Sequence, residues 1–185
     1  MKKIILDLAV SLDGFIEGPN GEIDWCIMDD DMDFDGFLEN IDTILYGRVS
    51  YDSWGNYHPG EDAGEEEILF WKKIHAKKKV VFSHHQREDQ NAVFTDDIEK
   101  TVHEIKQQAG KDIWLYGGAG LIRTCIKLNL IDMYRISVHP VALGNGKPLF
   151  EELKERLYLK LIKSNVFRSG VVQLIYEPSY QNDGK

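Results

Sequence analysis

The chain has 185 residues, of which 43% are hydrophobic and 29% are charged, the composition of an ordinary globular domain. Its formal net charge of −9 argues against nucleic acid as the main partner, and no apolar run approaches the roughly 20 residues of a membrane span. Asp7 interrupts the apolar N-terminal run, so no secretory leader is predicted. Cys26 and Cys125 give neither a disulfide framework nor a Cys/His ligand spacing, so we expect reduced thiols, no metal site and a cytoplasmic location.

The N-terminal part of the chain contains a strand, a loop and an acidic helix. Residues 3–10 are apolar almost throughout, which predicts a central strand covered on both faces. The glycine-punctuated stretch 11–22 is predicted as a loop, and long loops in compact domains are usually functional. Residues 29–40 are acidic, yet their apolar residues recur at helical spacing, so a helix is expected there. Asp30 would lie one helical turn before Phe34 and face the core side.

The rest of the chain alternates between strands and helices. Further strands are predicted at residues 43–46, 80–83, 92–95, 113–116 and 133–141, and a last hairpin at 157–166 and 170–176. Helices are predicted at residues 48–54, 65–76 and 97–109 and from residue 119 onward. Thr95 or Asp96 is expected to cap the third of these helices.

The order of these elements predicts the fold class. Strands alternate with helices until residue 128, and only strands follow. We therefore expect an α/β fold with a mostly parallel mixed sheet and an antiparallel C-terminal hairpin. Residues 1–177 are predicted to form a single domain, and residues 178–185 a polar tail.

The stretch 111–122 is the part of the sequence most indicative of function. Its apolar, aromatic-rich run predicts a buried strand, and a helix follows. Gly117, Gly118 and Gly120 remove side chains where the backbone must pass close to another group. A strand, a bare glycine turn and a helix N-terminus suit an anion such as a dinucleotide pyrophosphate. The alternative is a tight strand-to-helix turn that binds no ligand.

Four short motifs occur in order along the chain. They are Ala9-Val10-Ser11-Leu12-Asp13-Gly14-Phe15-Ile16, Leu45-Tyr46-Gly47-Arg48-Val49-Ser50-Tyr51, Val80-Val81-Phe82-Ser83 and Trp114-Leu115-Tyr116-Gly117-Gly118-Ala119-Gly120-Leu121. Their order and separations resemble the dihydrofolate-reductase-like superfamily and, within it, the reductase domain of the bifunctional riboflavin-biosynthesis deaminase–reductase. The resemblance covers residues 3–177. It implies a three-layer fold with helices on both faces of a central sheet.

The resemblance also implies a reductase that uses NADPH. The positions that match cofactor-binding residues of the family are Ala9, Ile16, Gly47, Arg48, Ser50, Ser83, His84, Gly117, Gly118, Ala119, Gly120, Leu121 and Ile122. Arg48 and Ser50 would open a helix that faces the cofactor phosphates, and Ser83 would lie at the adenosine 2′-phosphate. His84, with His85 and Arg87, would add positive charge that favours NADPH over NADH. Alternatively, the two histidines lie on an exposed polar loop.

At the substrate end, the resemblance implies an acid that supports proton delivery during hydride transfer. Asp30 follows Trp25 at the spacing of the family's acid, the alternative being one more solvated carboxylate in an acidic run. Asp13 is a second candidate acid and alternatively only shapes its loop. Trp25, Tyr51 and Trp54 are expected to contact a flat substrate ring, although Tyr51 and Trp54 would look identical as core aromatics.

We therefore predict an NADPH-dependent reductase of a small heterocyclic metabolite, resembling 5-amino-6-(5-phosphoribosylamino)uracil reductase and forming a homodimer. The sequence contains no deaminase zinc signature, so the resemblance is to the reductase half alone. It also shows no second basic cluster for a substrate phosphate. The main alternative is a non-catalytic nucleotide-binding or interaction module with the same fold, which would bind cofactor without turnover. A flavin-binding reductase, recognisable as a yellow protein, is a third possibility.

Overall fold

The computed structural model describes residues 1–179, so residues 180–185 of the predicted tail lie outside the described part of the chain. The strands are β1 (Ile4–Ser11), β2 (Phe15–Glu17), β3 (Ile41–Gly47), β4 (Lys78–Phe82), β5 (Val93–Thr95), β6 (Asp112–Gly117), β7 (Met133–His139), β8 (Lys147–Pro148), β9 (Leu159–Val166) and β10 (Val172–Pro178). The helices are α1 (Phe34–Glu39), α2 (Arg48–Ser50), α3 (Glu65–His75), α4 (Ile98–Gln107) and α5 (Ala119–Lys127). A 3-10 turn spans Asp30–Met32, and a π-helical turn at Tyr51–Gly55 continues α2.

The described chain divides into two compact units. The first unit comprises Met1–Ile4 and Phe34–Ile122. The second comprises Ile5–Asp33 and the chain from Arg123 onward. Within residues 1–179, no helix has the length and apolar character needed to cross a membrane.

The first unit is built on four parallel strands in the order β5, β4, β3, β6. Leu45 of β3 is in register with Val80 of β4 and Leu115 of β6, and all three side chains are buried. Apolar strands of this kind are typical of parallel sheets, whose faces are both covered. Because parallel strands end at the same edge, Gly47 and Gly117, the last residues of β3 and β6, come together there.

The second unit combines parallel and antiparallel strands. β1 is parallel to β7, whereas β10 is antiparallel to both β7 and β9, which gives the order β1, β7, β10, β9. β2 and β8 form a separate antiparallel pair that the sequence did not predict. The predicted α/β class, with mostly parallel pairing and an antiparallel C-terminal hairpin, is confirmed.

The helix predicted at residues 29–40 is wrong in its first half. Asp33 adopts a left-handed conformation with φ of 49°, so the 3-10 turn ends there and α1 begins only after it. This break removes the helical spacing that was expected to carry Asp30 to the core side, and Asp30 is exposed. Its neighbour Asp29 is half-buried instead and accepts a hydrogen bond from the Ser169 hydroxyl.

The N-cap of α4 also differs from the prediction. Asp97 caps the helix, because its Oδ1 accepts a hydrogen bond from the Lys100 amide at 3.0 Å. The cap therefore lies one residue after the expected Asp96, and two residues after Thr95. The hydroxyl of Thr95 instead lies 3.1 Å from the Thr101 hydroxyl.

Candidate functional site

The glycine turn joins β6 to α5 in the first unit. Gly117 has φ of +132°, a conformation that residues with a side chain rarely adopt, and the Gly117–Gly118 peptide bond is cis. α5 follows at once, and the Ile122 amide donates a hydrogen bond to the Gly118 carbonyl at 3.0 Å. Among the first residues of this helix, Leu121 and Ile122 are buried, Ala119 is half-buried and Gly120 is exposed. The predicted strand, turn and helix are all present, and the helix presents its positive dipole end here.

Gly47, Gly118 and Ser50 converge at this turn. A Cβ atom at Gly47 would lie 3.2 Å from the Gly118 amide nitrogen. A Cβ atom at Gly118 would lie 3.0 Å from Ser50 Oγ. A methyl group at either position would crowd its neighbour, so two backbones and one hydroxyl form a closely packed cradle without side chains at Gly47 and Gly118. This chemistry suits a phosphate group, which binds to backbone amides and hydroxyls.

Two arginines of the first unit share one carboxylate. Arg48, the first residue of α2, contacts Asp52 one turn later, with Nη1 and Oδ2 separated by 3.1 Å. Arg87 reaches the other oxygen of Asp52 at Nη2···Oδ1 2.7 Å, and its guanidinium lies 4.6 Å from the centroid of the Phe94 ring. The side chains of Arg48, Asp52 and Arg87 are 33% to 45% exposed, so water screens their attraction and an incoming anion can compete for the arginines.

Ser83 and His84 lie in the turn that follows β4. The Ser83 amide donates a hydrogen bond to the Thr95 carbonyl at 2.9 Å. The Ser83 hydroxyl lies 3.0 Å from both the amide nitrogen and the carbonyl oxygen of His85, so it closes its own turn. His84 and His85 are exposed, which agrees with the polar-loop alternative and also leaves them accessible.

Tyr51 and Trp54 belong to an aromatic cluster of the first unit. Tyr51 is fully buried, and its hydroxyl donates a hydrogen bond to Asp89 Oδ1 at 3.1 Å. Burial, together with this hydrogen bond, raises the pKa of Tyr51 to about 12. Trp54 is half-buried and stacks on Tyr116 with ring centroids 4.4 Å apart. The structure therefore favours the core alternative for Tyr51, whereas Trp54 keeps a partly exposed edge.

Asp13, in the second unit, ties two loops together. Its carboxylate accepts hydrogen bonds from the Ser11 hydroxyl at 2.6 Å, the Gly144 amide at 2.7 Å and the Leu143 amide at 3.1 Å. The Ser11 bond, followed by those from the amides, lowers the pKa of Asp13 to about 2. A carboxylate of this kind is ionised near neutral pH and carries no proton to give. The geometry supports the alternative that Asp13 shapes its loop.

The remaining predicted residues of the second unit lie on β1, on β2 and in the segment after it. Ala9 is half-buried on β1, in register with Ser137 of β7, and Ile16 is half-buried on β2. The Trp25 ring meets the His139 ring edge to face, with centroids 5.4 Å apart. Trp25 Nε1 also donates a hydrogen bond to the Glu22 carbonyl at 3.1 Å, so its ring is held in place.

A row of polar side chains crosses the sheet of the second unit. We call Asp7 of β1, Arg135 and Ser137 of β7 and Gln173 of β10 the polar face. Asp7 is in register with Arg135, and Gln173 with Ser137. Because in-register neighbours share a face and side chains alternate along a strand, all four lie on one side of the sheet.

The contacts of the polar face are partly buried. Asp7 Oδ1 lies 3.6 Å from Arg135 Nε, and their side chains are only 11% and 12% exposed. Gln173 Nε2 donates a hydrogen bond to the buried Ser137 Oγ at 3.4 Å. Burial raises the pKa of Asp7 to about 6, and the attraction of Arg135 opposes part of that rise.

Sequence reasoning missed the polar face as a site, although the sequence carries two signals for it. Asp7 is a charged residue within a strand predicted to be covered on both faces. Arg135, Ser137 and His139 alternate with apolar residues, which places them together on one face of a strand. The sequence does not show that Asp7 and Arg135 meet, because that depends on the pairing of β1 with β7.

Comparison with solved structures establishes the fold. A Shewanella sp. PV-4 protein assigned to riboflavin biosynthesis superposes with a TM-score of 0.76 at 24% identity, covering 97% of this chain and 99% of that one. Dihydrofolate reductase from Enterococcus faecalis, in complex with NADP(H) and RAB-propyl, superposes with a TM-score of 0.66 at 12% identity, covering 96% of each chain. The dihydrofolate-reductase-like fold expected from the four motifs is therefore confirmed.

Sequence comparison places the chain in a family. The YyaP protein of Bacillus subtilis (strain 168) is 57% identical over 177 residues, which cover 95% of this chain and 94% of that protein. The sequence model of the RibD C-terminal domain matches residues 2–173. Motif order, fold and sequence thus agree with the predicted resemblance to the riboflavin-biosynthesis reductase domain, and the chain belongs to the RibD C-terminal domain family.

Proposed function

We propose that this protein is an NADPH-dependent reductase of a small heterocyclic metabolite. The observation that carries the proposal is the cradle at the glycine turn, where a methyl group on Gly47 or Gly118 would crowd its neighbour. Such a cradle, followed by the N-terminus of α5, suits the phosphates of a dinucleotide. Family membership supports the same ligand, since the fold is shared with a dihydrofolate reductase whose structure contains NADP(H).

The first unit offers separate groups for the phosphates of the cofactor. Backbone at residues 117–120 and the Ser50 hydroxyl would hold the pyrophosphate. Arg48 would exchange part of its contact with Asp52 for a phosphate oxygen, to which a guanidinium donates two hydrogen bonds. The bound nicotinamide supplies the hydride, and the protein supplies position and proton.

The adenosine 2′-phosphate would distinguish NADPH from NADH. Ser83 and His84 follow β4, and Arg87 lies in the same segment. A half-buried serine hydroxyl, an exposed histidine and an exposed arginine are groups that bind phosphate oxygens. We therefore place the 2′-phosphate at this segment.

In the second unit, Ala9 and Ile16 are further proposed cofactor contacts, and Trp25 a proposed substrate contact. Trp25 offers a flat ring held by Glu22, which suits stacking on a heterocycle. Asp30 is exposed and suits an anchor for a polar substrate group. The proposed substrate resembles 5-amino-6-(5-phosphoribosylamino)uracil, in keeping with the RibD C-terminal domain family.

A titration with NADPH and, in parallel, NADH tests the cofactor assignment. Trp54 stacks within the aromatic cluster of the first unit, so tryptophan quenching and energy transfer to the nicotinamide report binding without a label. We expect NADPH to bind at least ten-fold more tightly than NADH. No binding of either nucleotide at millimolar concentration would contradict the proposed function.

Four variants locate the site in this titration. Gly47→Ala places a methyl group against the Gly118 amide and should weaken the binding of both nucleotides about ten-fold or more, equivalent to about 1.4 kcal/mol. Arg48→Ala should weaken the binding of both nucleotides, whereas Ser83→Ala should weaken the binding of NADPH alone. Gly60→Ala is the matched control, because a Cβ atom at Gly60 would meet nothing within 4 Å. Equal affinities for Gly47→Ala and Gly60→Ala would place the nucleotide elsewhere.

Turnover separates the reductase from the non-catalytic alternative. NADPH oxidation is followed at 25 °C with 5-amino-6-(5-phosphoribosylamino)uracil and with 7,8-dihydrofolate as acceptors. Reduction of either acceptor supports the proposed function. Tight NADPH binding without reduction would favour a nucleotide-binding module of the same fold.

A further inference from the structure

We infer that Asp7 is the acid that gives a proton to the substrate, and that Arg135 positions it. The inference rests on the proposed function, because it assigns a role within the same reductase reaction. It starts from the polar face, whose four side chains lie on one side of β1, β7 and β10. Neither candidate acid predicted from the sequence has the surroundings of a proton donor.

Asp7 is largely buried. Its side chain is 11% exposed and lies on the same face of β1 as the buried Ile5, two residues earlier. Burial of a carboxyl group at such a position has a desolvation cost that its attraction to Arg135 seldom exceeds. An apolar pair of similar volume would hold the same strands together. Perturbed, partly buried charge pairs of this kind cluster at functional sites.

The polar face places other hydrogen-bonding groups near Asp7. Asp7 lies two residues before Ala9, a proposed cofactor contact, so the two side chains point to the same side of β1. Ser137 and Gln173, which are buried and hydrogen-bonded to each other, extend the row of polar side chains onto β7 and β10. A heterocycle at the exposed edge of Asp7 and Arg135 would meet one carboxyl group beside a guanidinium donor.

Hydride transfer to a C=N or C=O bond also requires a proton for the nitrogen or oxygen atom. Hydride addition to the carbon of a C=N or C=O bond forms a C–H bond, and the π electrons move to the nitrogen or oxygen. That atom takes the proton from the Asp7 carboxyl, so the products are the reduced C–N–H or C–O–H group and the Asp7 carboxylate. Arg135 then faces the new carboxylate across the 3.6 Å Oδ1···Nε separation, and water returns a proton to Asp7.

The surroundings of Asp7 allow it to hold a proton near neutral pH. Arg135 of β7 faces it, and its Nη2 also donates a hydrogen bond to the Met32 carbonyl at 3.2 Å. The next titratable side chain on this side of β7, His139, is in register with Ser11 rather than with Asp7. Burial outweighs Arg135 and raises the Asp7 pKa to about 6, whereas Asp13 has a pKa of about 2. Asp7 therefore carries a proton in a substantial fraction of molecules at pH 6 to 7.

Carbon-13 NMR of protein labelled at aspartate Cγ tests the proton on Asp7 without substrate or cofactor. The resonance lost in Asp7→Asn identifies Asp7, and we expect its titration midpoint near 6. In Arg135→Met the midpoint should rise, because the guanidinium no longer favours the carboxylate. A midpoint below about 4.5, the ordinary range of an aspartate, would overturn the inference.

Kinetics test the role in the reaction, with the two acceptors named above. For the wild type, kcat/KM should fall about ten-fold per pH unit above the midpoint measured by NMR. Asp7→Asn should lower kcat at least about 100-fold, the range for loss of a general acid, while the NADPH Kd changes less than two-fold. Asp31→Asn, an exposed acid of the same unit, is the matched control and should keep the wild-type profile.

The outcomes separate this inference from the proposed function. Absence of NADPH binding removes the proposed function, whatever the NMR midpoint. NADPH binding with an unchanged kcat or pH profile in Asp7→Asn overturns the role of Asp7 and leaves the reductase intact. Wild-type protein that binds NADPH but reduces neither acceptor also counts against Asp7 as a proton donor. Arg135→Lys, which keeps the positive charge, should retain more activity than Arg135→Met if Arg135 acts by positioning Asp7.

Discussion

At the scale of single residues, two aspartates of the second unit show how surroundings set the chemistry of one side chain. Asp13 is exposed and accepts three hydrogen bonds, chiefly from Ser11, which lowers its pKa to about 2. Asp7 is largely buried beside Arg135, and burial raises its pKa to about 6. The first carboxylate is a permanent acceptor that fixes a loop. The second can change protonation near physiological pH.

The raised pKa of Asp7 predicts a pH-dependent stability. Between pH 3.8 and about 6 the folded protein binds more protons at Asp7 than the unfolded chain does, so the free energy of unfolding falls as pH rises through this window. The shift corresponds to a loss of roughly 3 kcal/mol above pH 6. Asp7→Asn has no carboxyl group at this position, so its free energy of unfolding does not fall in this window. The difference in free energy of unfolding between variant and wild type should therefore shift in favour of the variant by up to that amount between pH 4 and 7.

Urea denaturation of the two proteins at several pH values measures this difference. Asp31→Asn, whose side chain is exposed, should follow the wild type at every pH. Parallel stability curves for the wild type and Asp7→Asn would show that Asp7 has an ordinary pKa in the folded protein.

At the scale of elements, backbone conformation and caps decide where helices begin. Asp33 in the left-handed region ends the 3-10 turn and delays α1, which leaves Asp30 exposed. α4 begins after Asp97, because the Asp97 carboxylate accepts a hydrogen bond from the Lys100 amide. In both cases a single residue sets which side chains of the following helix face the core.

Removal of the N-cap of α4 should lower the stability of the fold. Asp97→Ala leaves the Lys100 amide without its side-chain acceptor and should lower the free energy of unfolding by about 1 kcal/mol. Thermal and urea denaturation measure the change. Asp96→Ala, one residue earlier and exposed, should change stability by less than about 0.5 kcal/mol. A larger loss in Asp96→Ala than in Asp97→Ala would mean that the helix starts one residue earlier in solution.

At the scale of the whole molecule, β9 carries an exposed apolar surface. This strand is the last in the order β1, β7, β10, β9 of the second unit. Leu161, Ile162 and Val166 of β9 are 50%, 48% and 76% exposed, an apolar surface unusual for an edge strand. We propose that the predicted homodimer uses this surface.

Light scattering on a size-exclusion column tests the homodimer. The wild type should show twice the 21.3 kDa chain mass, and the double variant Leu161→Glu/Ile162→Glu should show the chain mass alone, because buried glutamates repel a second copy. Leu69→Glu, at a leucine of α3 that is 56% exposed, is the control and should stay dimeric. A monomeric wild type would contradict the proposal.

The α/β class, most strands and helices and the glycine turn can be predicted from local sequence, because hydrophobic period and glycine placement act over a few neighbouring residues. Which side chains meet depends instead on contacts between distant parts of the chain. Asp13 accepts hydrogen bonds from amides that lie 130 and 131 residues away in the sequence. Asp7 meets Arg135 because β1 and β7 pair in a particular register. Such contacts depend on which distant strands pair and in what register, and a shift of one residue would turn Asp7 to the opposite face. The polar face is therefore a product of strand pairing, whereas the glycine turn is readable from its own residues.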